Sequence, residues 1–251
     1  MKTLIRTSVV TLTILFATAA GAAEIKVFCT NGVKAVVEEL IPQFERMNTN
    51  GDKVVLQFEP STQLRKRIDA GEPFDLVIMT TALVDEEAKA GKLVAGSRTF
   101  IARSGLGVSI RSGAKKPNIA TVDAFKRALL DAESITFAQQ GASAQPFEVL
   151  VAKLGITAQL RPKYNLRNTA AEVGEAVSSG VVALGIAPVS EILPVRGVEL
   201  VGPFPKDVQS YVEMTGAVNA NATHKEEAKN LLAFLVAPAN VPVFKMKGMD
   251  R

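Results

Sequence analysis

Short apolar segments typical of β-strands alternate with longer amphipathic segments typical of helices along almost the whole chain. The predicted strands cover 25–29, 53–58, 74–79, 101–111, 134–138, 163–166, 182–187 and 210–218. The predicted helices cover 33–44, 64–71, 82–92, 121–130, 143–155, 169–179 and 225–235. Because strands separated by helices form βαβ units, the pattern predicts an α/β fold with parallel sheets and helices on both faces.

Two of the predicted strands are candidates for connections between two lobes. The strand at 101–111 is interrupted by Gly105 and Gly107. The strand at 210–218 comes late in the chain, after a second series of alternating strands and helices. No composition change marks a flexible linker between independent domains. We therefore expect one lobe from 23–103 plus 210–251 and a second lobe from 104–209.

The amino terminus resembles a secretory signal. Lys2 and Arg6 precede an apolar run at 9–16, and small residues follow up to Ala20-Gly21-Ala22. The run is shorter than the about 20 apolar residues that a membrane-spanning helix needs. We predict that residues 1–22 are a cleavable signal peptide and that the protein works outside the cytoplasm. No cysteine follows the small residues, so a lipid anchor is not expected.

Composition argues against several classes of protein. The chain has 29 Lys and Arg against 25 Asp and Glu, with no Trp and two Tyr, so no basic and aromatic surface for nucleic acid is expected. Cys29 is the single cysteine and His224 the single histidine, which argues against an internal disulfide and a structural zinc site. We predict no metal and no cofactor.

Small polar residues or glycine occupy four turns in which a predicted strand ends and a helix begins. These turns are Thr30-Asn31-Gly32, Pro60-Ser61-Thr62, Gly141-Ala142-Ser143 and Pro188-Val189-Ser190. A helix N-terminus offers unpaired N–H groups and a partial positive charge, and ligands of open α/β sheets bind at the carboxyl ends of strands. Several such turns aimed at one point would form an anion site, whereas any single turn is explained by ordinary helix capping.

Several segments resemble the periplasmic molybdate-binding protein family, the type II solute-binding components of ABC transporters. The resemblance runs from about Ile25 to Gly248 and rests on 25–28 (IKVF), 64–78 (LRKRIDAGEPFDLVI), 152–155 (AKLG) and 180–186 (GVVALGI). It implies two α/β lobes, each a mostly parallel sheet flanked by helices, joined by two crossing strands with the ligand in the cleft. It also implies a periplasmic monomer that delivers a small anion to an inner-membrane ABC permease.

The resemblance also implies four ligand contacts, of which two differ here. The family has a serine where Gly32 stands, a serine at the position of Ser61 or Thr62, a backbone amide near Ala142, and a tyrosine where Pro188 stands. The predicted ligand-binding set is Thr30, Asn31, Gly32, Ser61, Thr62, Ala142, Ser143, Pro188 and Ser190. Because proline lacks an N–H and glycine lacks a hydroxyl, the ligand is left open between a molybdate-like oxyanion and a small carboxylate.

Carboxylate recognition would use arginine, and the candidates near predicted element ends are Arg65, Arg103 and Arg167. The chain is also similar to periplasmic aconitate isomerases built on the same scaffold. Such an enzyme moves a proton between two carbons of a tricarboxylate and needs a positioned base. The candidate bases are Glu59, Glu191, Tyr164 and Lys163, and no motif distinguishes one, so no catalytic residue is assigned. A binding protein is the main prediction, and an isomerase is the alternative.

Overall fold

The computed structural model describes residues 22–251, so the predicted signal peptide lies outside the described residues except for Ala22. The strands are β1 (Glu24–Thr30), β2 (Lys53–Glu59), β3 (Leu76–Thr80), β4 (Thr99–Arg111), β5 (Ile135–Thr136), β6 (Leu184–Pro188), β7 (Val198–Pro203) and β8 (Tyr211–Val218). The α-helices are α1 (Lys34–Met47), α2 (Ser61–Asp69), α3 (Thr81–Lys89), α4 (Val122–Asp131), α5 (Ala144–Lys153), α6 (Thr157–Leu160), α7 (Ala170–Ser178), α8 (Val189–Ile192), α9 (Lys225–Leu235) and α10 (Val241–Met246).

The first lobe is built on the strand order β2-β1-β3-β8-β4. Strands β2, β1 and β3 are parallel, and β8 runs antiparallel between β3 and the first part of β4. Side chains alternate between the two faces of a strand. Thus Leu76 and Ile78 join the apolar cluster that contains α1 and α9, whereas Val77 and Met79 join a second cluster under α2 and α3. Both faces of this sheet are therefore covered by helices.

The second lobe is built around the other end of β4, which pairs antiparallel with β6 and β7, while β5 lies parallel to β6. Aromatic side chains fill much of its interior. The ring of Phe125 packs 4.7 Å from that of Phe204, and Phe137 makes edge contacts with Phe147 and Tyr164 at 5.4 and 5.1 Å. Such geometries are the favoured ones for aromatic pairs, and they bring α4, α5 and β5 together.

Strand β4 belongs to both lobes. Its residues up to Gly105 pair with β8, and its residues from Leu106 onward pair with β6 and β7. Gln209, on the return connection, accepts from the Leu106 N–H at 3.0 Å and donates to the Leu106 carbonyl at 3.1 Å. A β-carbon on Gly105 would lie 2.9 Å from the Gln209 amide nitrogen, so glycine lets the two crossing segments approach closely.

The predicted two-lobed α/β fold is confirmed, and the antiparallel pairs all involve β4 or β8, the strands that we predict to cross. Several details differ from the expectation. The segment 163–166 contributes only an isolated bridge at Tyr164, and β7, α6 and α10 were not predicted. The half-exposed residues of β7 give no strong apolar pattern, which explains the omission. The lobe boundaries at 103/104 and 209/210 stay a prediction. No helix among residues 22–251 is long and apolar enough to span a bilayer.

Candidate functional site

A small cavity lies where the strand ends of the first lobe face the second lobe. Its volume is about 100 Å³, well below the roughly 300–1,000 Å³ of pockets for drug-sized ligands. Its wall consists of Thr30, Asn31, Pro60, Ser61, Thr62, Thr80, Leu83, Ala138, Gln140, Gly141, Ala142, Asn168, Thr169, Ala170 and Glu191. The size suits an inorganic oxyanion or a short organic acid, and the wall is mostly small and polar.

Three parallel strands supply the hydroxyl groups on the first-lobe side. Thr30 ends β1, Thr80 ends β3, and Ser61 begins the helix that follows β2. The Ser61 hydroxyl donates to Thr30 Oγ1 at 3.1 Å and accepts from the Thr80 N–H at 3.1 Å. Since a hydroxyl has one hydrogen, Ser61 uses its own within the wall, whereas the hydrogen of Thr30 is available to a ligand.

Three helices start at or beside the cavity without a side-chain cap. The residues preceding α2, α3 and α5 are Pro60, Thr80 and Ser143, and none of them accepts a capping bond through its side chain. The first N–H groups of a helix lack intrahelical partners, so these ends offer donors and partial positive charge. At α7, by contrast, the Thr169 hydroxyl accepts from the Glu172 N–H at 3.2 Å.

Two loops of the second lobe complete the wall. Ala138 and Arg167 form a parallel bridge, which brings the loop 138–142 next to the loop 168–170. The Gln63 side chain, on α2, donates to Gln140 Oε1 at 2.8 Å across the cleft. This bond links the two lobes directly beside the cavity.

Glu191 contributes the one ionisable side chain of the cavity wall. It lies on the short helix α8, and within residues 22–251 its carboxylate has no hydrogen-bond or ion-pair partner. Burial raises its pKa to about 7. A β-carbon on Gly32 would lie 3.7 Å from Glu191 Oε1 and 3.1 Å from Met214 Sδ. Glycine at position 32 therefore places no side chain of its own between the Glu191 carboxylate and Met214.

No lysine or arginine belongs to the cavity wall in the described part of the chain. Arg65 pairs with Glu87 at 3.2 Å on the outside of the first lobe. Arg103 stacks over the Tyr211 ring at 4.4 Å, and Arg167 donates to the Leu166 carbonyl at 3.0 Å. None of the three predicted carboxylate-binding arginines is positioned in the wall, so its donors are neutral.

Five of the predicted ligand-binding residues belong to the cavity wall, namely Thr30, Asn31, Ser61, Thr62 and Ala142. The other four lie beside it. Gly32 is buried under Glu191 and Met214, and Ser143 is buried at the start of α5. Pro188 and Ser190 flank the cavity on β6 and α8, and the buried Ser190 hydroxyl has no hydrogen-bond partner among residues 22–251. Ligand contacts of all nine stay predictions.

Sequence reasoning missed several wall residues. Thr80 follows β3 just as Thr30 follows β1, so the same strand-end rule would have found it. Asn168 and Thr169 lie between the predicted strand 163–166 and the predicted helix 169–179, so the same rule would also have found them. Gln140 follows a strand that is two residues long. Glu191 was considered only as one of four possible bases.

The four candidate bases have different environments. Glu59 pairs with Arg67 at 3.0 Å, and Tyr164 packs within the aromatic interior of the second lobe. Lys163 donates to the backbone carbonyls of Leu130 and Ala132. Of the four candidate bases, Glu191 alone is part of the cavity wall.

Cys29 is fully buried in the core, and burial raises the pKa of its thiol, which agrees with a packing role.

The cavity opens into a wider mouth of about 540 Å³, which shares Thr80, Gly141 and Ala142 with it. The mouth also includes Tyr211, Asp85 and Glu213. A separate groove of about 880 Å³ lies between the end of β4 and α4 and includes Arg111, Lys115 and Arg127. None of the four predicted turns contributes to that groove, so the cavity with its mouth is the candidate site.

Comparison with known proteins agrees with this architecture. A curated aconitate isomerase from Pseudomonas sp. is 27% identical over 216 residues, covering 84% of this chain and 81% of that protein. The molybdate-binding protein ModA of Azotobacter vinelandii is 27% identical over 242 residues, covering 93% of this chain and 92% of the relative.

Solved structures show the same fold. The periplasmic molybdate-binding protein of Azotobacter vinelandii matches with a TM-score of 0.76 at 18% identity, covering 90% of this chain and 99% of that one. The sulfate-binding protein SubI from Mycobacterium tuberculosis H37Rv matches with a TM-score of 0.75 at 19% identity, covering 90% and 86%. The family model for bacterial extracellular solute-binding proteins matches residues 25–250. The resemblance found in the sequence is therefore confirmed, and the chain belongs to the bacterial extracellular solute-binding protein family.

Proposed function

We propose that this protein captures a small anion in the cavity between its lobes and delivers it to an ABC permease of the inner membrane. The observation that carries the proposal is the meeting of turns from both lobes around one cavity of about 100 Å³. Family membership supports the transport role, since the matched family consists of extracellular solute-binding proteins.

The donors of the wall suit an anion. The free hydroxyl hydrogen of Thr30 and the uncapped starts of α2, α3 and α5 supply hydrogen bonds and partial positive charge without a fixed cation. Hydrogen bonds to a charged group stabilise by roughly 1.5–3 kcal/mol each, so a few of them suffice for micromolar binding. The ligand is either a molybdate-like oxyanion or a small carboxylate.

Thermal unfolding in the presence of single anions tests this proposal. A ligand at 100 times its Kd stabilises the folded state by about 2.7 kcal/mol, which raises the Tm by roughly 5–10 °C for a chain of this size. The panel contains molybdate, sulfate, phosphate and small mono-, di- and tricarboxylates. If none of them raises the Tm, the proposal is wrong.

Two serine variants locate the binding site. Ser61→Ala removes the hydroxyl that holds Thr30 and Thr80, and it should weaken binding about tenfold. Ser112→Ala, at an exposed serine outside the cavity wall, is the matched control and should bind like the unmodified protein. Equal affinity of both variants for the anion would show that the binding site lies outside the cavity.

We also propose that residues 1–22 direct export to the periplasm and are then removed. The supporting pattern is the basic start, the apolar run and Ala20-Gly21-Ala22. Amino-terminal sequencing of the protein from a periplasmic fraction should give Ala23 as the first residue. An intact Met1 in that fraction would contradict the cleavage.

Glu191 favours a second candidate, an aconitate isomerase-like activity. A carboxylate with a pKa of about 7 beside neutral donors is an arrangement that general-base catalysis requires. In this reaction the carboxylate removes a proton from one carbon of the tricarboxylate, the double bond shifts, and the proton returns to another carbon. The aconitate isomerase of Pseudomonas sp. supports this alternative.

Incubation with trans-aconitate, followed by NMR, separates the two candidates. An isomerase produces the cis isomer, and Glu191→Gln abolishes the conversion because an amide cannot accept the proton. A binding protein shows a ligand-induced Tm increase without conversion. Retention of full isomerase activity in the Glu191→Gln variant would exclude Glu191 as the base.

A further inference from the structure

The feature that the proposed function leaves unexplained is a carboxylate in the wall of an anion site. Glu191 is positioned there together with Thr30, Ser61 and the starts of two helices, and no described cation neutralises it. An ionised carboxylate accepts hydrogen bonds and donates none. A fully deprotonated oxyanion also only accepts, so the two would repel each other across the cavity.

The structure holds Glu191 in this position. The Ser190 N–H donates to Ser104 Oγ at 3.1 Å, and Ser104 in turn donates to the Gly248 carbonyl at 3.1 Å. Helix α8 is therefore tied to β4 and to the carboxy-terminal segment, and Glu191 cannot simply move out with its helix. When it is ionised, its carboxylate has no partner among residues 22–251, and a donor on a molecule that enters the cavity would supply one.

No hydrogen bond or ion pair to the Glu191 carboxylate comes from residues 22–251. Residue 32, which lies against it, is glycine and brings no side-chain donor, with its β-carbon position 3.7 Å from Glu191 Oε1. A larger side chain there would also press on Met214, whose Sδ is 3.1 Å away. Glu191 itself belongs to the wall of the cavity, and the ligand atom that suits an ionised carboxylate there is a hydroxyl hydrogen.

We propose that Glu191 is a specificity-determining residue that selects anions carrying their own hydroxyl hydrogen over anions of the same shape without one. The inference rests on the proposed function and names the ligand class for that site. The ligand places its hydroxyl against Glu191 and its charged oxygens against Thr30 and the helix starts. Monohydrogen phosphate and 2-hydroxycarboxylates share this chemistry, whereas sulfate and plain dicarboxylates lack it.

Matched anion pairs at pH 8 test the selection by isothermal titration calorimetry. Phosphate and sulfate have the same tetrahedral shape, and only phosphate carries a hydrogen at this pH. Malate and succinate differ by one hydroxyl. We expect the unmodified protein to bind the hydroxyl-bearing member of at least one pair about tenfold more tightly or better, and the pair that shows the preference identifies the source of the hydroxyl.

Glu191→Gln tests whether this side chain sets the preference. Glutamine has nearly the same shape and both donates and accepts, so the preference should fall below about threefold while sulfate or succinate gains affinity. Glu133→Gln, at an exposed glutamate outside the cavity wall, is the matched control and should keep the preference.

The possible failures are distinguishable. If sulfate, succinate or molybdate binds as tightly as the hydroxyl-bearing anions, or if Glu191→Gln keeps the preference, the inference is wrong and the anion-binding function stands. If no anion of the panel binds any variant, the proposed function fails and the inference fails with it.

Discussion

Two glutamates of this protein differ in how their carboxylates are matched: one has cationic partners and the other has none among residues 22–251. Glu87, on α3, is 1% exposed and lies 3.2 Å from Arg65 Nε and 2.9 Å from Lys92 Nζ. Glu191, on α8, is part of the cavity wall, and within residues 22–251 it has no cation. A buried charge is tolerated when it is paired and hydrogen-bonded, and otherwise it is costly. Glu87 therefore serves the structure of the first lobe, whereas Glu191 is a cost that we connect to the ligand.

The side chains that surround Glu87 and Glu191 also differ. Around Glu87, the side chains of Arg65 and Lys92 reach further acids, Asp69 and Glu86, so each of the three acids lies beside a cation. The hydrogen bond to Asp69 and then that to Glu87 raise the pKa of Lys92. Glu191 lies close to Gly32 and shares the cavity wall with hydroxyl and amide side chains but with no lysine or arginine of residues 22–251. Burial alone thus does not distinguish the two carboxylates, whereas the presence or absence of a cationic partner does.

The largest expected effect comes from Glu191→Gln in the ligand-free protein. The pKa of Glu191 rises from 4.5 to about 7 on folding. Below pH 4.5 both states carry the proton, and stability is unaffected. As the pH rises from 4.5 to 7 the unfolded state loses its proton first, so the folded state becomes less stable, by up to about 3 kcal/mol above pH 7. Glutamine removes this penalty, so we expect a gain of that size at pH 8 and none at pH 4.

Urea unfolding at both pH values measures this gain. The slope of unfolding free energy against urea should be unchanged, which shows that the midpoint reports stability. Glu133→Gln serves as the control and should change little at either pH. An equal gain at pH 4 and pH 8 would show that titration of Glu191 is not its cause.

The same substitution at the other glutamate should act in the opposite direction. Glu87→Gln removes the carboxylate on which Arg65 and Lys92 converge, and we expect a loss of about 1–2 kcal/mol in the free energy of unfolding at pH 7. The loss is smaller than the 3–5 kcal/mol typical of a broken buried pair, because the two cations are partly exposed and turn to water.

Glu86→Gln is the neighbouring control for that experiment. Glu86 is 51% exposed and pairs only with Arg65 at the surface, so its loss should cost less than about 0.5 kcal/mol. If Glu87→Gln is as mild as Glu86→Gln, the buried carboxylate does not stabilise the first lobe, and the contrast with Glu191 disappears.

Much of the fold could be predicted because the spacing of apolar residues along the sequence follows which side chains are buried. Strand β3 is apolar on both faces and was expected between two layers of helices, and the glycines of β4 indicated the crossing near residue 105. The wall residues on the first lobe were found through the strand-end rule, which works where strands are parallel and long. On the second lobe the rule found Ala142 but not Gln140, because β5 has two residues, and the loop at 164–167 pairs only through isolated bridges.

The surroundings of Glu191 in the fold could not be predicted from the sequence. The sequence shows an acid close to Pro188 and Ser190, but it does not show that residue 32, more than 150 positions earlier, packs beside that acid. Likewise, Arg65 looks like a carboxylate ligand until the distance to Glu87 is known. Pairing of charges depends on which elements pack together, and only the folded structure supplies that information.

The smallest expected effect concerns Gln63, which lies on the same helix as Arg65 but contacts the other lobe. Its side chain donates to Gln140 Oε1 at 2.8 Å in an exposed position, so Gln63→Ala should change the free energy of unfolding by less than about 0.5 kcal/mol. Because the bond spans the cleft beside the cavity, its loss should speed ligand release a few-fold while leaving association nearly unchanged. Stopped-flow displacement of the bound anion measures the release rate, with Gln159→Ala on α6 as an exposed control. Equal release rates for the two variants would mean that the Gln63–Gln140 bond does not hold the cleft closed, and that α2 contributes to the cleft through Ser61, Thr62 and its amino-terminal N–H groups instead.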